Sequence, residues 1–243
     1  MKKSQVSVFI IFSIMIVGIL MVLLFIKSRD NTYEEKIMPE VAPVHGFVQD
    51  CIKKIAEESV YNIGQTGGYF IKANLSTDNN VAYYFYNQED FMPEKESLEK
   101  ELSQYMSTML FFCVRGFTDF PDFSIKQKEI KSKAVIYDEK VTFEIIYPLV
   151  ITKDEKSFSF KNFKDIEVET RLGTVHNVIR RFIDEQMKNK EDICLTCLSD
   201  YADEKDLYVS MYEYKDRTIM FSIIDKKIKL MGEDYAYYFA NKY

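Results

Sequence analysis

The chain has 243 residues, 47% of them hydrophobic, with 32 Lys and Arg against 38 Asp and Glu. Residues 1–29 hold four of the basic side chains and no acidic one, so the remainder carries 28 basic against 38 acidic, a net charge of −10. That excess of carboxylates argues against nucleic acid as a partner, since such binding depends on Lys and Arg neutralising phosphates; the length suits one domain with its own core, or two small ones.

The first predicted element is an apolar helix. From Val6 to Ile26 no residue is charged and none is proline; Ser7, Ser13 and Gly18 are its only small or weakly polar positions. At about 1.5 Å per residue the run matches a hydrocarbon core of about 30 Å, and it lacks the polar stripe of a helix on a soluble core. A cleaved secretory signal has an apolar core of about 7–15 residues and a small-residue cleavage site. Lys27-Ser28-Arg29-Asp30 is no such site, so the reading is a retained anchor. The predicted organisation is a basic leader at 1–5, a transmembrane helix at 6–26, a linker at 27–45 and a soluble domain at 46–243. Basic residues flank both ends of the helix almost evenly, Lys2 and Lys3 on one side and Lys27, Arg29 and Lys36 on the other. The acidic domain and the even number of cysteines favour an N-terminus inside and a domain outside the cell membrane. The lipid bilayer is then a partner, with self-association or contact with other surface proteins beside it.

Beyond the anchor, Pro39 and Pro43 break any helix that would continue out of the membrane. Gly46 to Gly64 has helical periodicity, with Phe47, Cys51, Ile52, Ile55, Val60 and Ile63 apolar and Gly64 as the stop. Gln65 to Gly68 reads as a turn into a short strand at Tyr69-Phe70-Ile71; without GxxxxGK[ST] spacing it is not a phosphate loop. Val81 to Tyr86 is a second strand. Its tyrosines place apolar rings and polar tips at a half-wet surface, which favours ordinary two-faced sheet over a carbohydrate- or ligand-binding platform. Glu94 to Val114 is a second helix, whose Glu94, Glu96 and Glu99 suit the positive end of its dipole.

Phe123 to Phe163 reads as a meander of strands. Ile166 to Leu172 alternates and is a strand or a helix entry. Thr174 to Lys190 is a third helix, Leu207–Tyr214 and Thr218–Ile224 pair as a hairpin, and Tyr235 to Phe239 is a last edge strand. This order predicts an α+β domain with an antiparallel sheet and about three helices.

The four cysteines are Cys51, Cys113, Cys194 and Cys197, an even number that fits disulfides in an oxidising compartment and allows three connectivities. Cys51 and Cys113 fall on predicted helices and are expected to pair. Cys194-Leu-Thr-Cys197 has the spacing of zinc knuckles and redox motifs as well as of local disulfides. A local disulfide or buried thiols come first, since no second ligand pair lies at zinc spacing and a charged stretch, Lys188 to Asp192, precedes the motif.

Catalytic signatures are absent from the sequence. There is no G-x-S-x-G elbow, no H-E-x-x-H and no Gly-rich nucleotide loop. Of the two histidines, His45 falls in the stalk, and His176 is expected at a surface or helix end rather than as a general base. No cofactor, metal or enzymatic activity is expected. Asn74-Leu75-Ser76 is a glycosylation sequon in a predicted loop.

The first residues, Lys2-Lys3-Ser4-Gln5-Val6-Ser7, resemble the class III signal sequences of archaeal type IV pilin-like proteins. The resemblance implies peptidase cleavage between Ser4 and Gln5, and a retained apolar helix that packs subunits together or anchors them. Two positions depart from that pattern: Phe9 stands where the fifth mature residue is usually acidic, and Ser4 where a glycine or other small residue usually precedes the cut. The Pro39 and Pro43 breaks also interrupt a pilin's continuous stem. Beyond this segment the domain is similar to membrane-anchored proteins of small-genome archaea, which implies no activity. The expectation is a membrane-anchored cell-surface structural or interaction protein, a pilin-like subunit among the options; the alternative is an anchored ligand-binding or sensory module.

Overall fold

A computed structural model of the chain describes residues 13–19, 21, 38–191 and 193–243. The chain divides into two units, Met1–Met38 and Pro39–Tyr243. In the first, residues 13–19 and 21 are helical and exposed. The leader at 1–5, both ends of the Val6–Ile26 span and most of the linker lie outside the described residues. Among the described residues, no helix is long and apolar enough to cross a membrane.

The second unit is α+β and begins earlier than the predicted boundary at 46. Residues 42–45, expected in the linker, open helix α1 (Ala42–Thr66), and Val41 and Val44 are fully buried. Pro43 starts this helix rather than breaking it, because it sits in the first turn, where a backbone N–H has no helical partner to lose. Nor does Gly64 stop it. The helix runs on to Gly67, whose left-handed backbone (φ 72°, ψ 41°) ends it, and the Gly68 N–H bonds to Ile63 O at 2.8 Å. Gly64 is required by packing instead. A Cβ there would lie 2.7 Å from Ala236 O and 3.2 Å from the Tyr235 ring, so only glycine lets α1 approach the last strand this closely.

Helix α2 (Lys95–Cys113) runs antiparallel to α1: Cys51 and Cys113 form a disulfide with Cα atoms 5.9 Å apart, and Asn62 Nδ2 donates to Tyr105 Oη at 2.9 Å. The glutamates of its first turns serve as docking points for backbone. Glu99 Oε1 accepts the Ile136 N–H at 2.9 Å, and Glu101 Oε2 accepts the Phe70 N–H at 2.8 Å. The latter bond accounts for the missing strand at Tyr69–Ile71: a carboxylate takes the donor that a ladder would use, and Gly67 and Gly68 turn the chain just before it.

Two sheets complete the unit. The first has the order β2-β1-β10-β9-β8, built from β1 (Tyr83–Tyr86), β2 (Glu89–Asp90), β8 (Tyr208–Glu213), β9 (Thr218–Leu230) and β10 (Glu233–Lys242). It is mixed rather than antiparallel, because β1 pairs with β10 in parallel. The expected edge strand at Tyr235–Phe239 lies instead in the middle strand, β10, flanked by β1 and β9, with Tyr235, Tyr237 and Phe239 buried on one face and Ala236 and Ala240 on the other. The second sheet is antiparallel and centres on the long strand β5 (Lys140–Lys153). On one side β3 (Ser124–Gln127) and β4 (Lys131–Ile136) follow one another; on the other, β6 (Lys156–Asn162) and β7 (Ile166–Glu169) do the same.

Helix α3 (Leu172–Lys188) matches the third predicted helix, and α4 (Leu195–Asp203) is an unpredicted fourth, too short to show a clear period. Helix α1 touches α2, β7, β9 and β10, so it meets both sheets, and ten of its 25 residues are buried. The Gly64→Ala variant is expected to lose about 1–3 kcal/mol of stability in chemical denaturation. Gly46→Ala, in the same helix with open space around it, is expected to be neutral or slightly stabilising.

Candidate functional site

The structure distributes the sequence-predicted residues rather than collecting them in one place. Ser4 and Gln5 lie outside the described residues. Cys51 pairs with Cys113 and Cys194 with Cys197; sulfurs committed to these bonds are not available to bind zinc. His45 belongs to α1, not to a stalk, and its ring stacks on Phe163 with centroids 5.1 Å apart. Asn74 is exposed in a loop. Among the described residues, no group of three or more His, Cys, Asp and Glu is arranged to hold a metal ion.

His176 is buried rather than at the surface, only 5% exposed, because α3 packs it against the chain that leads into α2; its Nε2 lies 2.9 Å from Pro93 O. Burial holds its pKa below the ordinary 6.5, although the Pro93 carbonyl and Glu94 pull the other way. The buried imidazole, hydrogen-bonded to the Pro93 carbonyl, ties α3 to the chain that leads into α2.

The most concentrated polar cluster is at the start of α3. Arg171 Nε and Nη2 donate to both oxygens of Asp225, at 2.6 and 2.7 Å, and Nη1 donates to Lys205 O at 2.6 Å. Asp225 is fully buried and also accepts the Lys227 N–H at 2.9 Å. The strand bulges here: Tyr235 pairs with Asp225 while Asp234 pairs with Lys229, leaving residues 226–228 outside the ladder. One guanidinium thus joins the β7–α3 corner, the bulge in β9 and the turn before β8. Removing one partner from such a pair costs about 3–5 kcal/mol, because the other charge stays buried. An open groove of about 650 Å³ lies beside it, with Asp138, Glu139, Glu167 and Glu169 opposed by Lys140 and Lys227. Two of these charges are already mutually satisfied, Lys140 Nζ to Glu167 Oε1 at 2.7 Å.

Strand β8 offers a different kind of surface. It is the outer strand of the first sheet, and five of its six residues are exposed, including Tyr208, Met211 and Tyr212. The Tyr214 N–H bonds to Thr218 O at 2.8 Å. By the alternation of an antiparallel ladder, Tyr208, Ser210 and Tyr212 direct their backbone groups to β9, and Val209, Met211 and Glu213 direct theirs outward. Glu213 is the only charged side chain in the strand, so the edge has little of the charge by which exposed edges avoid pairing.

Sequence reasoning located both cysteine pairs but missed Asp225 and the edge position of β8, since neither a buried carboxylate nor a sheet edge carries a local signature. Thermal stability is expected to fall as pH drops from 7 toward 5 in part through His176. The unfolded imidazole takes up a proton near 6.5 and the folded one only at lower pH, so the unfolded state gains across that interval. In His176→Gln, the decline measured over the same interval should be smaller than in the parent.

No family model, curated protein or solved structure matches this chain.

Proposed function

We propose that the chain is a single-pass, membrane-anchored surface protein whose domain works through contacts with other proteins, foremost other copies of itself. The observation that carries the anchor is the apolar helical stretch: Ile14, Met15, Ile16, Val17, Ile19 and Met21 are each at least half exposed, on every side of the helix. Such a surface is at equilibrium in lipid or against identical helices, not in water. The uncharged run from Val6 to Ile26 around it supports a full span. Cleavage between Ser4 and Gln5, with the helix then serving for assembly as in pilin-like proteins, belongs to the same reading.

For the domain, the edge of β8 supports interaction over ligand binding. Addition of a strand to an open edge supplies backbone hydrogen bonds, and exposed Tyr and Met side chains supply contact area. An antiparallel pairing of β8 with its own copy joins Met211 to Val209 across the two-fold axis and sets Tyr208 opposite Tyr212. The groove beside Arg171, by contrast, is open, and its charges oppose one another, which suits a small-molecule receptor poorly.

Membrane fractions washed with alkaline carbonate test the anchor: the protein is expected to stay with the lipid and to leave only in detergent. Mass analysis of that material is expected to show an amino terminus at Gln5; an intact Met1 or Lys2 start would overturn the processing claim. Met211→Lys is expected to abolish crosslinked dimers of the detergent-solubilised full chain while leaving its thermal midpoint within a few degrees of the parent, since the side chain is 40% exposed.

A further inference from the structure

The two disulfides differ in setting. Cys51–Cys113 joins two long helices across 62 residues of chain, with Cys51 only 4% exposed and Cys113 partly buried. Cys194–Cys197 spans three residues, both of its cysteines are partly exposed, and its Cα atoms are 5.3 Å apart. A crosslink removes chain entropy in proportion to the logarithm of the loop it closes, so the short loop does little to hold the fold. The sequence places the motif after a charged stretch, but the structure places it at the head of a helix. Cys194 occupies the N-cap of α4 and Cys197 lies in its first turn, beside the helix's first N–H groups, which no described side chain caps.

We infer that Cys194–Cys197 is a redox-active pair that exchanges electrons with a partner dithiol, an activity separate from the surface contacts proposed above. Partner thiolate attack on one sulfur forms a mixed disulfide and releases the other cysteine as a thiolate, which the positive N-terminal end of α4 stabilises. The second partner thiol then attacks the mixed disulfide. The partner leaves as a disulfide, and Cys194 and Cys197 retain the two electrons and the two protons it surrendered. The surroundings tolerate this opening. Residues 189–191, 193 and 194 belong to no helix or strand, so Cys194 is free of any ladder. Helix α4 is held independently by buried Leu198 and Ala202 and by the Arg181 guanidinium 3.9 Å over the Tyr201 ring, so its N-terminus keeps its place whether the sulfurs are joined or apart.

The test uses the full chain in detergent, equilibrated against graded mixtures of reduced and oxidised dithiothreitol, then alkylated and mapped by peptide mass. Cys194 and Cys197 are expected to open at a reduced-to-oxidised ratio at least tenfold lower than Cys51 and Cys113, with far-ultraviolet circular dichroism unchanged. Once open, at least one of the two is expected to react with iodoacetamide at pH 7 at least tenfold faster than in the same chain unfolded in urea. Opening only together with Cys51–Cys113, or alkylation no faster than in the unfolded chain, would overturn the inference; a merely structural crosslink gives the second result.

Discussion

Helix α1 is the element against which the rest of the domain is arranged, and its closest constraint is steric. At Gly64 the helix and strand β10 leave no room for a single methyl group. Toward its start, α1 is joined covalently to α2 at Cys51, and along its length it meets strands of both sheets. A helix buried on several sides cannot shift to relieve a misfit on one of them. The chain therefore fixes it by three unlike means: a disulfide, a glycine contact, and a carbonyl cap shared by Gly67 and Gly68.

The Arg171–Asp225 pair fixes a second junction, between the β7–α3 corner, β9 and the turn before β8. Burying a carboxylate completely is unfavourable unless its oxygens are all engaged. Here two guanidinium donors and the Lys227 N–H engage them, and the same guanidinium reaches the Lys205 carbonyl. The arrangement contributes position more than stability: it sets where β9 bulges, where α3 begins and where the chain enters β8. The exposed edge of β8 thus owes its placement to a charge pair at its root.

The surface of the domain combines features of opposite character. Its ion pairs are mostly exposed, such as Arg181 with Glu204 and Lys227 with Asp206, and contribute little individually. The tyrosines divide into two groups. Tyr84 and Tyr237 are buried with hydroxyls 2.6 Å apart, their pKa values raised by burial, and they act as core. Tyr208 and Tyr212 are exposed on the outer strand of the sheet, where the same amphipathic ring suits contact with a partner.

Much of the fold was legible in local pattern. The α2 and α3 helices, the β8–β9 hairpin and the meander around β5 follow from periodicity and turn chemistry, because each depends on residues near one another in the chain. Composition likewise determined the acidic character of the domain, and the uncharged run from Val6 to Ile26 carries the anchor reading. Other features depended on distant partners. By sequence Gly64 suits a helix stop, but β10 passes it; Tyr235 to Phe239 suits an edge strand, but β1 flanks it; His176 suits a surface or helix end, but the Pro93 carbonyl covers it. The cysteine spacing identified a pair but left disulfide, metal and redox readings open. Only tertiary structure set that pair at the head of α4, because a helix of nine residues is held by what packs against it rather than by its own sequence.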